Sequence, residues 1–190
     1  MDQLEYNTYE YWFNHPTLKQ GGDHYKSSIV FEGLVKSLDI PKIGYCIQMG
    51  VNTGYTLSLM KEHFGEYRTR GIDIFNVNND PYVFEININD IDFDIPIAYA
   101  ENDVGTVHER PEDRLTAFKW AIKNLVPGGI LITTSNVANE QFGESVEDIC
   151  DLHNCTWERL DNKNDQPWAQ YMNEETIWNT ISMMLVRKSI

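Results

Sequence analysis

The sequence predicts an α/β protein with a doubly wound, mainly parallel sheet, and three observations support this prediction. Residues 43–76 follow the order strand, glycine turn, helix, strand, and an acidic residue closes the second strand. A later helical pattern runs into a proline–glycine–glycine turn and then an apolar strand. Two more strand patterns close the chain, without a clear helix between them. Strands that alternate with helices favour a parallel sheet with helices on its faces.

Length and composition favour one compact domain. The chain has 190 residues, of which 42% are hydrophobic and 12% aromatic, which suits a single domain with a sizeable core. We expect a helical N-terminal extension over residues 1–41 and one compact unit over residues 42–190. No apolar run approaches the roughly 20 residues needed to cross a bilayer, and the N-terminus lacks a signal pattern. Three cysteines form an odd, sparse set, which argues against a disulfide framework and favours a reducing compartment. We therefore expect a soluble, cytoplasmic protein.

The net charge of the chain limits the classes of partner that it is expected to bind. The formal net charge is −14 at pH 7, and no Lys or Arg occurs between Gly71 and Val107. Nucleic-acid affinity comes largely from Lys and Arg that neutralise phosphates. We therefore expect no nucleic-acid and no membrane partner, whereas a cationic small molecule would be attracted. An acidic solvated face is the simpler explanation of the charge. A homodimer is a further partner that the sequence allows.

The N-terminal part contains aromatic residues and then an amphipathic helix pattern. Apolar residues recur over 29–38, and Pro41 ends the pattern just before the first strand. His15, His24 and Tyr25 precede this helix. They are weak candidates for substrate contacts, since most aromatic residues in such a position serve packing.

The glycine turn after the first strand is the strongest functional pattern. Gly50 lets the chain turn sharply at a strand end, where a side chain would collide with a ligand. Asn52 and Gly54 open the next helix, whose first N–H groups favour an anionic group. Asp73 closes the second strand, about where a ribose-binding acid is expected. An ordinary tight turn is the alternative.

The third and fourth strands follow. A turn over 77–81 leads into a strand pattern over 82–88. A parallel crossover normally takes a dozen or more residues, so we expect a shortened connection or a differently arranged third strand. The fourth strand, over 93–100, ends in Glu101-Asn102-Asp103. The carboxyl ends of strands are where α/β sheets place reactive groups.

The last elements complete the prediction. A helix starts at Pro111, and we expect Pro127-Gly-Gly to end it before a strand over 130–134. Ser145 with Asp148 predicts a capped helix. Two strands then follow, over 156–160 and 180–187, and the long polar span over 161–175 is a candidate lid.

Four of these elements together resemble the class I S-adenosylmethionine-dependent methyltransferases. They are the glycine turn over 48–54, the acid in Gly71-Ile-Asp73, the helix end and strand over 125–132, and the closing strand pair. The resemblance covers residues 42–187. It implies a Rossmann-like sheet with an antiparallel last strand pair. It also implies an enzyme that moves a methyl group from S-adenosylmethionine to an oxygen or nitrogen of a small molecule.

The resemblance also implies roles for individual residues. Gly50 and Gly54 match the glycines beside the methionine part of the cofactor, and Asp73 matches the acid that holds the ribose. Asp90 matches the polar residue near the adenine. Gln48 stands where family members usually carry an acid. That departure motivates an alternative, a protein that binds S-adenosylmethionine or its demethylated product, or a scaffold, without methyl transfer.

Catalytic candidates follow the fourth strand. If the acceptor is a hydroxyl, a general base is useful, and Asp103 is our first candidate. His108 is the second, although a surface loop is the simpler explanation of this histidine. Asp103 or Glu101 with Asn136 is similar to the strand ends that hold a divalent cation in catechol-type O-methyltransferases. Ser135 stands where that pattern has an aspartate, so we expect no metal site.

Overall fold

The computed structural model describes residues 34–51, 54–102, 104, 111–134, 145–159 and 183–190. Within these ranges, seven strands form one sheet: β1 Tyr45–Met49, β2 Thr69–Asp73, β3 Val83–Glu85, β4 Ile97–Asn102, β5 Leu125–Thr134, β6 Cys155–Arg159 and β7 Met183–Lys188. Three α-helices are described: α1 Tyr55–Phe64, α2 Pro111–Asn124 and α3 Val146–Leu152. Single 3-10 turns occupy Val35–Ser37, Glu66–Arg68 and Ile88–Asp90. Most of the predicted N-terminal extension and the whole candidate lid lie outside the described residues.

The strand order is β3-β2-β1-β4-β5-β7-β6. The first five strands pair in parallel, whereas β7 runs antiparallel to both β5 and β6. The predicted mainly parallel sheet with an antiparallel C-terminal pair is therefore confirmed. The order reverses between β1 and β4. In open α/β sheets a crevice for ligands forms at such a reversal, outside the carboxyl ends of the strands.

Helices cover both faces of the sheet. One face packs around Cys46, Met60 and Tyr99, and Met60 belongs to α1. The other face packs around Ile47 and Phe118, together with the buried side of α3. Side chains alternate between faces along each strand, so neighbouring positions of β1 enter different cores. This arrangement is the predicted doubly wound one.

The predicted cap of α3 is confirmed. Ser145 lies at the N-cap, and its hydroxyl oxygen accepts the Asp148 N–H at 3.0 Å. Glu147 and Asp148 place two acids in the first turn, where the helix dipole favours negative charge. The inner side of the helix is buried and consists of Val146, Ile149 and Cys150. Burial raises the pKa of the Cys150 thiol to about 12, so this cysteine serves the core.

The junction of α2 and β5 differs from the prediction. The helix ends at Asn124 and the strand begins at Leu125, so Pro127-Gly-Gly lies within the strand and does not end the helix. The Asn124 side chain closes the helix, because it accepts the Ile95 N–H at 2.9 Å and donates to the Trp120 carbonyl at 2.8 Å. The register between β4 and β5 shifts beside this turn.

The connection between β2 and β3 is short, as predicted. Residues 74–82 contain no helix, and β3 still pairs with β2 in parallel. Asn76 exchanges two hydrogen bonds with the Asp80 backbone, at 2.8 and 2.9 Å. The Asp80 carboxylate accepts the Tyr82 N–H and an ion-pair hydrogen bond from Lys61 of α1. Side-chain hydrogen bonds thus give this connection the order that a crossover helix would otherwise provide.

We expect Asp80→Asn to destabilise the protein at neutral pH and much less in acid. Burial alone would raise the pKa of Asp80, but hydrogen bonds from Lys61 and the Tyr82 N–H hold it below the usual range. A lowered folded-state pKa adds stability above the unfolded pKa, near 4, and this stability is lost as the pH falls through the folded value. Urea unfolding at pH 7 and pH 3 measures the difference, with the exposed Asp92→Asn as control. A deficit of equal size at both pH values would contradict the ion-pair explanation.

Among the described residues, no helix is long and apolar enough to span a membrane.

Candidate functional site

The strand reversal brings several predicted site residues to one edge of the sheet. In the parallel register, Gln48 of β1 lies opposite Gly71 of β2 on one side and Glu101 of β4 on the other. Asp73 lies two residues beyond Gly71, and therefore on the same face of the sheet as Gln48. The carboxyl ends of three adjacent strands thus present one amide and two carboxylates in a row.

The glycine turn has the geometry that its sequence predicts. Gly50 and Gly54 have φ values of 82° and 81°, in the left-handed region that favours glycine. The Gly50 N–H donates to the Ile72 carbonyl, and the Gly54 N–H donates to the Val51 carbonyl, both at 2.9 Å. A Cβ atom on Gly54 would lie 2.9 Å from Asn78 Nδ2. The turn therefore packs against the short β2–β3 connection, and a side chain at Gly54 would be strained and crowded.

Asp73 is the last residue of β2, and its side chain is partly buried. Its Oδ1 atom accepts the Phe75 N–H at 3.2 Å. This bond fixes the carboxylate at the strand end, next to the turn that follows β1. The position suits a group that accepts hydrogen bonds from a ligand in the crevice.

The side chain of Gln48 gives the clearest evidence for a ligand site. Its side chain is 2% exposed, and Nε2 donates a long hydrogen bond of 3.4 Å to the Gly50 carbonyl. The Oε1 atom has no hydrogen-bond partner within the described part of the chain. Leaving a buried acceptor without a donor costs about 1–3 kcal/mol. A ligand with N–H donors, such as the ammonium group of S-adenosylmethionine, would fit this oxygen.

Glu101 is a buried carboxylate that the sequence pattern placed at a reactive strand end and among candidate metal ligands. It is 7% exposed, and it accepts a hydrogen bond of 2.5 Å from the Tyr99 hydroxyl. Its nearness to Gln48 depends on the pairing of β1 with β4. Aligning the polar ends of the predicted first and fourth strands could have shown that Gln48 and Glu101 are neighbours.

Of the remaining predicted site residues, the structure describes only Asp90. It is exposed in the 3-10 turn after β3. The neighbouring Asn89 ties this turn to α2 by donating to Asp113 Oδ1 at 2.7 Å. Asn52, Asp103 and His108 lie outside the described residues. Within the described ranges, no group of three or more His, Cys, Asp or Glu side chains is placed to hold a metal ion.

Comparison with family models and with curated proteins returns no match. Solved structures do match. An S-adenosylmethionine-dependent methyltransferase from Clostridium acetobutylicum superimposes with a TM-score of 0.56 at 13% identity, over 97% of this chain and 99% of that chain. A chain of the Haloferax volcanii complex between the Trm112 methyltransferase activator and a methyltransferase gives 0.56 at 12% identity, over 100% and 98%. The StiE O-methyltransferase gives 0.54 at 11% identity, over 93% and 78%.

These likenesses agree with the strand order and with the antiparallel position of β7. The chain therefore has the Rossmann-like fold of the class I S-adenosylmethionine-dependent methyltransferases.

Proposed function

We propose that this protein binds S-adenosylmethionine at the carboxyl ends of β1 and β2 and transfers its methyl group to an oxygen or nitrogen of a small molecule. One observation carries the proposal: the left-handed glycine turn after β1 and the carboxylate of Asp73 at the end of β2 lie side by side at the strand reversal. Ligands of open α/β sheets bind at this point.

The residues of the turn have separate tasks in this proposal. Gly50 and Gly54 keep side chains away from the ligand, and the first N–H groups of α1 suit its carboxylate. Asp73 accepts hydrogen bonds from the ribose hydroxyls, while Gln48 Oε1 accepts one from the ammonium group. The adenine contact is assigned to Asp90, in the 3-10 turn after β3, from the resemblance alone. A net charge of −14 favours the approach of a cationic ligand.

When bound, S-adenosylmethionine supplies a methyl group on a positively charged sulfur. The protein contributes the alignment of the acceptor and the exclusion of water. For a hydroxyl acceptor, Asp103 takes the proton, and His108 is the second candidate for this role. The O-methyltransferase among the similar structures supports an oxygen acceptor.

A second candidate function is binding without transfer. It is favoured by the glutamine at position 48, which offers no charge where an acid would hold the ammonium group. Methyl-labelled S-adenosylmethionine, incubated with the protein and a panel of phenols, amines and carboxylic acids, separates the two candidates. Formation of a labelled product supports transfer. Binding without turnover supports the second candidate, and absence of binding at millimolar cofactor rejects both.

We expect Gly54→Ala to weaken ligand binding and Gly65→Ala to leave it unchanged. The two glycines flank α1, and both have positive φ, so both alanines are expected to destabilise the protein through backbone strain. Gly65 has open space around it, whereas Gly54 borders the proposed site. Calorimetry should therefore show weaker binding of S-adenosylhomocysteine for Gly54→Ala only. Equal affinities of the two variants would remove the glycine turn from the site.

A further inference from the structure

Two buried polar residues lie next to each other on the adjacent strands β1 and β4. Gln48 and Glu101 are register partners on adjacent parallel strands, which lie about 4.8 Å apart. Their side chains are 2% and 7% exposed. Register partners project from the same face of the sheet, so the amide and the carboxylate begin side by side at the strand reversal.

The chemistry of this pair points to a cation. Gln48 Oε1 is a buried acceptor with no donor among the described residues. Its amide N–H is directed to the Gly50 carbonyl, so Gln48 offers an acceptor to any group that enters. Glu101 adds a negative charge on the neighbouring strand, held by the Tyr99 hydroxyl at 2.5 Å. A group with several N–H donors and a positive charge could donate to Gln48 Oε1 and also be attracted by the Glu101 carboxylate.

We propose that Glu101 supplies, from β4, the negative charge that holds an ammonium group of the ligand, while Gln48 Oε1 accepts one of its N–H donors. The inference rests on the proposed function, in which this ammonium belongs to the amino acid part of S-adenosylmethionine. The negative charge then comes from β4, whereas the resemblance implies an acid on the neighbouring strand β1. Gln48 contributes a hydrogen bond to the site, and Glu101 supplies the charge that Gln48 lacks.

The burial of Glu101 explains why the carboxylate is suited to this task. A buried ion is costly unless a partner of opposite charge compensates its desolvation. The same low dielectric strengthens its attraction for a cation that enters the crevice. Tyr99 is fully buried in the adjacent core and fixes the orientation of the carboxylate. Glu101 is therefore positioned before the ligand arrives.

The test compares two ligands on the Glu101→Gln variant of the full chain. S-Adenosylhomocysteine carries the ammonium group, whereas 5′-methylthioadenosine has the nucleoside and the sulfur without the amino acid part. We expect Glu101→Gln to weaken binding of S-adenosylhomocysteine about tenfold or more, as expected for loss of a charged hydrogen bond. Binding of 5′-methylthioadenosine should stay unchanged. The exposed Glu62→Gln on α1 removes the same charge and should affect neither ligand.

A second variant keeps the test decisive if Glu101→Gln folds poorly. Gln48→Leu removes the unpartnered oxygen and should likewise weaken S-adenosylhomocysteine selectively. The double variant should lose less than the product of the two single losses, because both side chains contact one ammonium group. Equal losses for both ligands, or no loss in either variant, would overturn the ammonium site. If the wild-type protein binds S-adenosylhomocysteine with neither variant affected, only this inference fails. If the wild type binds no ligand, the proposed function fails as well.

Discussion

The Gly129→Ala variant is expected to lose about 3 kcal/mol of unfolding free energy, near the upper end for overpacking of a buried position. A Cβ atom at this position would lie 2.7 Å from the Val126 carbonyl oxygen and 2.9 Å from that of Ile97. Both are backbone atoms, so no side-chain rotation relieves the contact. At this point the register of the parallel strands β4 and β5 shifts, between Ile97 and Tyr99 of β4. Urea unfolding measures the loss, provided that the transition is two-state.

Gly128→Ala is the matched control in the next position. Gly128 has a φ of +77°, but its added Cβ would meet Pro41 Cγ at an ordinary 3.5 Å. The Gly128→Ala variant is therefore expected to lose only the cost of backbone strain, about 1–2 kcal/mol. If Gly128→Ala proved as costly as Gly129→Ala, the close approach of Gly129 to β4 would not be the reason for its glycine.

The Asp73→Ala variant is expected to bind S-adenosylhomocysteine about 1–3 kcal/mol more weakly, which is roughly 5- to 150-fold. The carboxylate at the end of β2 lies beside the glycine turn. In the proposed site it accepts the ribose hydroxyls through charge-assisted hydrogen bonds, which are stronger than neutral ones. Calorimetry with S-adenosylhomocysteine measures the change.

Asp73→Asn separates the role in binding from the role in the turn. Asparagine keeps an oxygen that can accept the Phe75 N–H, as Asp73 Oδ1 does at 3.2 Å. This variant should therefore fold like the wild type while binding less tightly. The exposed Asp92→Ala controls for the loss of one negative charge. Unchanged affinity in Asp73→Ala would remove this residue from the ribose role.

Local patterns were enough to predict most of the sheet. The run before Gly50 forms β1, and the acid of Gly71-Ile-Asp73 ends β2. Ser145 caps α3 as its spacing indicates. These features depend on hydrophobic periodicity and on hydrogen bonds between residues close in sequence. The short β2–β3 connection was also predictable, because its length leaves no room for a crossover helix.

Features that depend on pairing between distant strands could not be predicted in the same way. Pro127-Gly-Gly resembles a helix end in sequence, yet Asn124 already closes α2, and Gly129 makes the close contact with β4. The neighbourhood of Gln48 and Glu101 follows from the register of β1 with β4. Residues far apart in the sequence meet only when the strand order is known. The resemblance identified position 48 as unusual, and the structure adds the buried oxygen that it carries.

Titration of the wild-type protein with S-adenosylhomocysteine in a calorimeter tests most directly whether the glycine turn, Asp73 and Gln48 form a cofactor site. We predict one binding site per chain and an affinity that falls in Asp73→Ala and Gly54→Ala but not in Asp92→Ala or Gly65→Ala. Absence of heat and of binding at millimolar ligand, with the protein folded, would contradict the proposed site.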